Sequence, residues 1–422
     1  MTVVYKPKHK QLSHLLDNPD AHIGHKHQVK GWIRNVRKQS EMVFVTMYDG
    51  TTITSLQLII HIDKVSDLTH INIGSCIFAI GEIVKSPAKG QEIELVVETY
   101  EIYGKIVDKE TYLPAIKNIS LERLRETQYL RSKFKSMQAI FMIRSKLMGF
   151  VHEFFHAKNI HHLDPNIVTT SDCEGAGEVF TITSLDFKDK HKHLHWKDDF
   201  FGKQAFLTVS SQLQLEALCS GLGAVYTTNP SFRAEPSNTK RHLGCFTHVE
   251  WELAFIELED LMDFSEEFVN FCFKSVLERC VDEVNELNSY VSKGLENKLR
   301  SFIMQPFERI SYDTAIDIIT VNGKEIMKLF NDLKVLPKWG DDLGSYCERY
   351  ICEKIFQKPT FVYNYPKELK SFYMKQNPKH IIDNIIRETV QGCDLLIPGL
   401  GELIGSSIRE TDHDVLLTSS PD

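Results

Sequence analysis

The stretch from 231 to 255, SFRAEPSNTKRHLGCFTHVEWELAF, sets arginines, histidines and carboxylates between apolar runs that have the pattern of strands. Phe232 and Ala234, then Phe246, Thr247 and Val249, fit two strands joined by a long polar loop that holds Arg241 and His242. Strand neighbours alternate between faces, so Arg233 projects from the side opposite Phe232. A guanidinium drawn into a sheet needs an anion, and its planar fork suits a carboxylate or a phosphate. A structural pair with Glu235 meets that need; the loop cations favour a phosphate-bearing ligand instead. In SDCEGAGEVF, Glu174 and Glu178 lie in a glycine-rich turn that either approaches a ligand closely or is an ordinary acidic loop. CDLLIPGLGELIGSSIRE joins Asp394, Glu402 and Arg409 to glycines. Two such carboxylates can hold a magnesium ion that bridges phosphates.

Other patterns are weaker. GLGELIG lacks the spacing of a dinucleotide fingerprint and the acidic residue that should follow it. KHKHLH, at 190–195, lies in a charged loop without ordered ligand spacing and reads as solvated rather than metal-binding. Nine cysteines form no CxxC pair, and Cys347 and Cys352 read as facing positions of a helix, with thiols expected to be reduced.

Two regimes of the chain must position these groups. Residues 27–104 contain five short β-branched runs, with Asp49-Gly50 and Ala88-Lys89-Gly90 where hairpin turns belong, which predicts a small barrel of the OB type. Lys30, Arg34, Arg37 and Lys38 lie near Phe44 in sequence. Cations beside an aromatic suit stacked, unpaired bases; equally, Phe44 is core and the cations a solvated edge. A polar connector over 111–130 reads as a hinge. Beyond Phe134, Met137, Ile140, Phe141, Met148, Val151 and Phe155 recur at helical spacing, and DFSEEFVNFCFKSVLERCVDEVNEL repeats the pattern as a core-packing helix. Strand runs segregated from helices, without regular βαβ alternation, predict an α+β fold with a mostly antiparallel sheet. The domains expected are an extension over 1–26, the barrel over 27–110, the hinge over 111–130 and an α+β domain over 131–422.

Composition limits the partners. The 422 residues are 42% hydrophobic with a net charge of −8, so contact with nucleic acid must come from a local basic patch, and a purely electrostatic DNA binder is excluded. No apolar run approaches the ~20 residues that span a bilayer, and MTVVYKPKHK lacks a signal's apolar segment, which points to the cytoplasm and no membrane partner.

FRAEPSNTKRHLGCFTHVEWELAF resembles motif 2 of the class II aminoacyl-tRNA synthetases, and the long helix leading to Pro165 resembles motif 1. TTSDCEGAGEVF, DFFGKQAFLTVSSQLQLEA, WGDDL, FVYNYPKELKSFYMK and DLLIPGLGELIGSSIRE are similar to asparaginyl-tRNA synthetases more than to their aspartyl relatives. The resemblance runs from about residue 27 to 417. It implies an OB anticodon-binding barrel, a six-stranded antiparallel catalytic sheet and a homodimer that uses ATP, Mg2+, asparagine and tRNA(Asn). Asparagine attacks the α-phosphate of magnesium-bound ATP, and the acyl group passes from the adenylate to the terminal ribose of the tRNA. Such chemistry rests on positioning and charge neutralisation.

By the same resemblance, Arg233 holds the α-phosphate, Glu235 lies near the adenine, Phe246 stacks on it, and Arg241 and His242 approach the outer phosphates. Asp394 and Glu402 carry magnesium, with Glu402 also in the ATP site. Glu174 and Gln212 receive the asparagine amino group, while Lys370 and Arg409 read its side-chain end. Phe44, Gln57 and Glu94 contact anticodon bases. The family pattern has Glu at the position of Cys245 and GGS at Gly405-Ser406-Ser407, the latter change adding a Cβ where backbone is expected close to substrate. Its glycine-rich motif 3, the source of an arginine on the far face of adenine, belongs where DVLLTSSPD ends and is missing from these 422 residues, so the catalytic domain over 131–422 is expected to be incomplete at its C-terminus. A tRNA-binding homologue without catalysis and an asparagine synthetase-like amidating enzyme are the alternatives to a ligase.

Overall fold

The structure, a computed structural model, describes residues 9–64, 68–108, 110–116, 119–171, 178–185, 195–235, 243–382 and 385–419. The chain forms two compact units, Met1–Leu147 with Ser275–Lys298, and Met148–Lys274 with Leu299–Asp422.

In the first unit, helix α1 (Leu12–Asp17) precedes strands β1 (Lys26–Lys38), β2 (Met42–Tyr48), β3 (Leu56–His61), β4 (Cys76–Lys85) and β5 (Ile93–Gly104). They close into a barrel in the order β1-β2-β3-β5-β4. Period-2 alternation sends Val43, Val45, Met47, Leu56, Leu58 and Ile60 inward, where they pack with Leu12 and Leu15 of α1, and leaves Phe44 and Gln57 facing outward. Closure brings backbones close at Gly81, where β4 and β5 slip register. A Cβ there would stand 2.1 Å from the Val96 carbonyl oxygen.

The connector expected as a hinge forms two short helices, α2 (Leu121–Glu126) and α3 (Gln128–Arg131). The Ser120 hydroxyl caps α2 by accepting the Arg123 N–H at 3.2 Å, and Leu124 is buried, so a cap and one apolar anchor override the polar composition. Next comes α4 (Lys135–Ala157), the long helix expected. Arg34 settles the reading of its own charge: its guanidinium donates to Gln138 at 2.6 Å and Ser55 at 3.3 Å and lies 4.1 Å from the Tyr48 ring, so it is a structural cation.

In the second unit, α4 gives way after Ala157 to a turn in which Asn159, with a φ of 57°, reverses the chain into β6 (His161–His162). Strands β7 (Val168–Thr169), β8 (Thr181–Ile182) and β9 (Ala205–Leu207) form a ladder with β9 central. Helix α5 (Gln212–Leu222) leads to β10 (Ala224–Thr227), then to the hairpin of β11 (Pro230–Phe232) and β12 (Cys245–Thr247), and to β13 (Glu250–Leu253). The expected single helix over 263–287 breaks at Cys280 into α6 (Leu258–Arg279) and α7 (Val281–Tyr290), of which α7 belongs to the first unit.

Helix α8 (Leu295–Ile303), strand β14 (Glu308–Ser311), helices α9 (Tyr312–Leu329) and α10 (Gly344–Tyr350), and strand β15 (Thr360–Tyr363) follow. A short hairpin of β16 (His380–Ile382) and β17 (Ile385–Arg387), the pair β18 (Gly392–Ile397) and β19 (Gly401–Ser407), and α11 (His413–Ser419) complete the described chain. Among the described residues the resemblance's six-stranded sheet is divided into ladders ordered β13-β10-β6 and β14-β15-β18-β19, antiparallel except for β6/β10 and β14/β15. Phe361, Cys393 and Leu395 join a core with Phe155, Tyr226 and Phe268, while Val362 and Leu396 face a second core made with α9 and α10. Asp394 pairs with Val362 and therefore projects toward the α10 side.

Replacing Gly81 with Ala forces a Cβ into backbone that cannot yield cheaply. We expect a loss of about 2 kcal/mol or more in denaturant unfolding, against no loss for Gly221→Ala, a helical position of α5 where a Cβ meets nothing within 4 Å and the backbone conformation suits any residue.

Candidate active site

β11 and β12 pair Phe232 with Cys245 and Ser231 with Phe246, which realises the hairpin read from the sequence. Just beyond β11, the Arg233 N–H donates to the Gly244 carbonyl at 3.2 Å, and the Ala234 N–H to the Glu178 carbonyl at 2.8 Å. These bonds pin the segment on both sides of the Arg233 side chain, whose guanidinium carbon lies 5.6 Å from the Phe246 ring centroid. A cation and a half-buried aromatic ring held at this range offer one position for an anion and another for a flat ring. Glu235 is described beside them; Arg241, His242 and Glu174 lie outside the described residues.

Below the hairpin lies polar support that spacing did not single out. His248 Nδ1 is 3.0 Å from the Ser231 hydroxyl and 3.5 Å from Glu250. Burial, with Arg233 adding to it, pulls the His248 pKa below its ordinary value although Glu250 opposes the change. The Glu250 carboxylate accepts the Ser211 N–H at 3.0 Å and the Ser210 hydroxyl, fixing the turn that starts α5. That turn sets Gln212. With its amide oxygen facing Arg409, Gln212 accepts from the guanidinium at 3.0 and 3.3 Å and donates to Tyr373 Oη at 3.2 Å. Arg409 is also paired with Glu252, reaches Glu216 at 3.4 Å, and donates to Ser407 Oγ at 3.0 Å. Burial raises the Glu252 pKa and Arg409 restrains the rise.

A second group assembles where β18 and β19 face α10. Lys370 Nζ donates to Asp394 Oδ2 at 2.7 Å and lies 4.0 Å from the Tyr365 ring centroid. Lys370 and Arg409, grouped by the resemblance, thus engage different partners. A Cβ at Gly405 would meet Glu402 Oε1 at 2.9 Å and Asp394 Oδ1 at 3.5 Å, so the two carboxylates converge on the space that glycine leaves open. Desolvation, reinforced by Asp394, raises the Glu402 pKa; Lys370 and Arg233 oppose it. Burial works against the Lys370 charge, yet Asp394, Glu402 and Asp342 outweigh it and leave the ammonium above its usual value.

Glu348 of α10 joins this group, and sequence spacing gave no sign of it. Burial first, then Glu402, Asp394 and Asp342, push its carboxyl up to about 7. WGDDL ends five positions before Glu348, and only the packing of α10 through Cys347, Tyr350 and Ile351 turns the side chain toward β18. Those neighbours also answer the cysteine question, since Cys347 and Cys352 are buried free thiols of this core.

Residues 120–419 match the family pattern of "tRNA synthetases class II (D, K and N)", and residues 27–103 that of the "OB-fold nucleic acid binding domain". An asparagine–tRNA ligase of Cytophaga hutchinsonii is 39% identical over 97% of this chain and 86% of its own length. The chain belongs to the asparaginyl-tRNA synthetases. The asparagine–tRNA ligase of Parabacteroides distasonis is 38% identical over 92% of the chain and 82% of its own length. The crystal structure of asparaginyl-tRNA synthetase from Pyrococcus horikoshii complexed with asparaginyl-adenylate superposes with a TM-score of 0.80 at 29% identity, over 98% of this chain and 86% of that one.

In this synthetase the Ser406 substitution falls on the other side of the sheet from the carboxylates. Ser406 pairs with Cys393 and its hydroxyl lies 3.1 Å from Cys393 Sγ, whereas Gly405 pairs with Asp394. The added Cβ is therefore absorbed on the core side, contrary to the expectation of an intrusion beside substrate. Cys245 is exposed on β12.

In the barrel, Arg37 is the cation that stands against Phe44, at 4.9 Å from the ring. Gln57 donates to Glu94 Oε1 at 3.2 Å, and Ser86 donates to the same oxygen at 2.6 Å. Glu94 is only 3% exposed, so its carboxylate is fixed by side-chain donors on an otherwise outward-facing row.

The raised Glu348 pKa has a consequence for stability. The folded state holds a proton that the unfolded chain releases near pH 4.3, so stability is greatest below that pH and falls as pH rises toward about 7. Glu348→Gln mimics the neutral form. In magnesium-free denaturant unfolding it should match the parent at pH 4 and exceed it by on the order of 1–2 kcal/mol at pH 8.

Proposed function

We propose that the chain activates asparagine with ATP and transfers it to tRNA(Asn). The observation that carries this reading is the placement of Arg233 against Phe246 on a pinned hairpin, in a member of the asparaginyl-tRNA synthetases. Arg233 holds the α-phosphate and Phe246 stacks on adenine with Glu235 beside it; Arg241 and His242 meet the outer phosphates. The asparagine lies across Gln212 and Arg409, with Glu174 at its amino group. The charge around Arg409 supports a neutral carboxamide, because Glu252 and Glu216 already offset the guanidinium.

Asp394 and Glu402 fit a magnesium ion. Their oxygens are hard donors that converge over Gly405, and Glu402, raised by burial and then by repulsion from Asp394, is a carboxyl whose charge a dication would favour. Among the described residues no three His, Cys, Asp or Glu are spaced to hold a metal by themselves, which suits an ion that keeps water and phosphate oxygens as its remaining ligands. Bound there, magnesium would neutralise charge on the phosphates. Lys370 then holds Asp394 in place, rather than reading the amino acid. Phe44, with Arg37 against it, and the Gln57–Glu94 pair read unpaired anticodon bases by stacking and by fixed hydrogen-bond groups. A cytoplasmic homodimer completes the proposal; among the described residues no helix is long and apolar enough to cross a membrane.

Two substitutions separate the activities. Arg233→Ala should lower asparagine-dependent pyrophosphate exchange about 100-fold or more, since it removes charge stabilisation made at the transferring phosphate; normal exchange would defeat the assignment. Phe44→Ala should weaken binding of a tRNA bearing a GUU anticodon roughly tenfold while exchange stays at the parent level. Unchanged tRNA affinity would remove Phe44 from the anticodon site.

A further inference from the structure

The turn between β8 and β9 carries an exposed aromatic pair with no role in the site described so far. Phe200 is 80% exposed and Phe201 46%, and their rings touch edge to face with centroids 4.8 Å apart. Most exposed apolar side chains stand singly; two adjacent rings held in water ask for an occupant.

The residues just before the pair are tied to the end of β8. Asp199, 8% exposed, accepts on one oxygen from the Ser184 N–H at 2.9 Å, the Ser184 hydroxyl at 2.6 Å and the Phe200 N–H at 2.7 Å. These donors hold its carboxylate well below the usual range, so its charge is spent inside the turn. Lys197 and Lys203 flank the rings and are exposed, with Asp198 the exposed acid beside them. With Asp199 turned inward, the exposed charges beside the rings are two cations and one acid.

The base of the same hairpin reaches the catalytic segment. Beyond β9, the Thr208 carbonyl accepts the Phe232 N–H at 2.9 Å, and before β8 the Glu178 carbonyl accepts the Ala234 N–H at 2.8 Å. Arg233 lies between those two bonds. Glu178, bonded beside Arg233, and Ser184, bonded to Asp199, are six residues apart and so at most about 20 Å, which leaves the rings within a few nucleotides' reach of the Arg233 segment. A tRNA arrives here with an unpaired 3′ end. Its bases lack partners and gain from an aromatic face, and its phosphates gain from lysines.

We propose that Phe200 and Phe201 form a stacking platform for the unpaired bases at the 3′ end of the tRNA, with Lys197 and Lys203 beside its phosphates. The inference rests on the function proposed above, and deepens it by naming where the acceptor end is held before the acyl transfer. It needs no covalent step by these residues.

The test compares the full chain with a Phe200→Ala/Phe201→Ala variant. Affinity is measured at one salt concentration for a GUU-anticodon tRNA and for the same tRNA trimmed of its last four nucleotides. The parent should prefer the intact tRNA roughly tenfold, the variant should show no preference, and Phe200→Trp/Phe201→Tyr should restore it. Asparagine-dependent exchange should be equal in parent and variant, because activation needs no tRNA. A parent without preference, a preference that survives in the variant, or an equal loss of both tRNAs would overturn the platform. A change in sedimentation of the variant would also overturn it, by showing that the rings join copies of the chain. If the parent fails in exchange yet its preference is lost with the rings, the platform stands and the proposed catalysis falls.

Discussion

Two carboxylates of like charge, Asp394 and Glu402, are held over one glycine, and much of the second unit serves to keep them there. Burial first, and repulsion between neighbouring carboxylates after it, raises the Glu402 pKa and takes Glu348 to about 7, so the group is costly when left alone. Lys370 offsets part of the repulsion through its 2.7 Å bond to Asp394. The remainder is a standing demand for positive charge, which the magnesium ion proposed for this site would meet. On this view the site stores unfavourable electrostatics in the free protein and releases them when its substrate arrives.

That demand explains the layering around it. β18 is buried on both faces, with Cys393 and Leu395 on one side and Leu396 on the other. A strand so enclosed cannot shift to relax Asp394. The hairpin of β11 and β12 obeys a similar logic with different means: backbone bonds to Gly244 and Glu178 fix Arg233 from both flanks, and Glu250 ties the start of α5 to β13. The groups expected to contact nucleotide and amino acid are thereby set on short strands and one helix terminus, where small backbone errors are resisted by pairing.

The motif 2 hairpin was legible in the sequence because strand alternation and the polar loop are local signals, and the barrel was legible for the same reason. What spacing missed depends on tertiary packing. Glu348 reads as one more acid on an amphipathic helix until α10 turns it toward β18. Arg34 carries the same charge as Arg37 three residues away, but a glutamine and a serine from distant segments claim it for structure. The Ser406 change looked like an intrusion until register assigned its Cβ to the Cys393 face. Resemblance grouped Lys370 with Arg409 by role; geometry gives one to Asp394 and the other to Glu252 and Gln212.

The most direct measurement is exchange of labelled pyrophosphate into ATP by the purified 422-residue chain, with asparagine or aspartate, with and without magnesium. The account predicts exchange that depends on asparagine and disappears when magnesium is removed. A soluble, folded chain that shows no exchange, or one that exchanges equally well with aspartate, would contradict it.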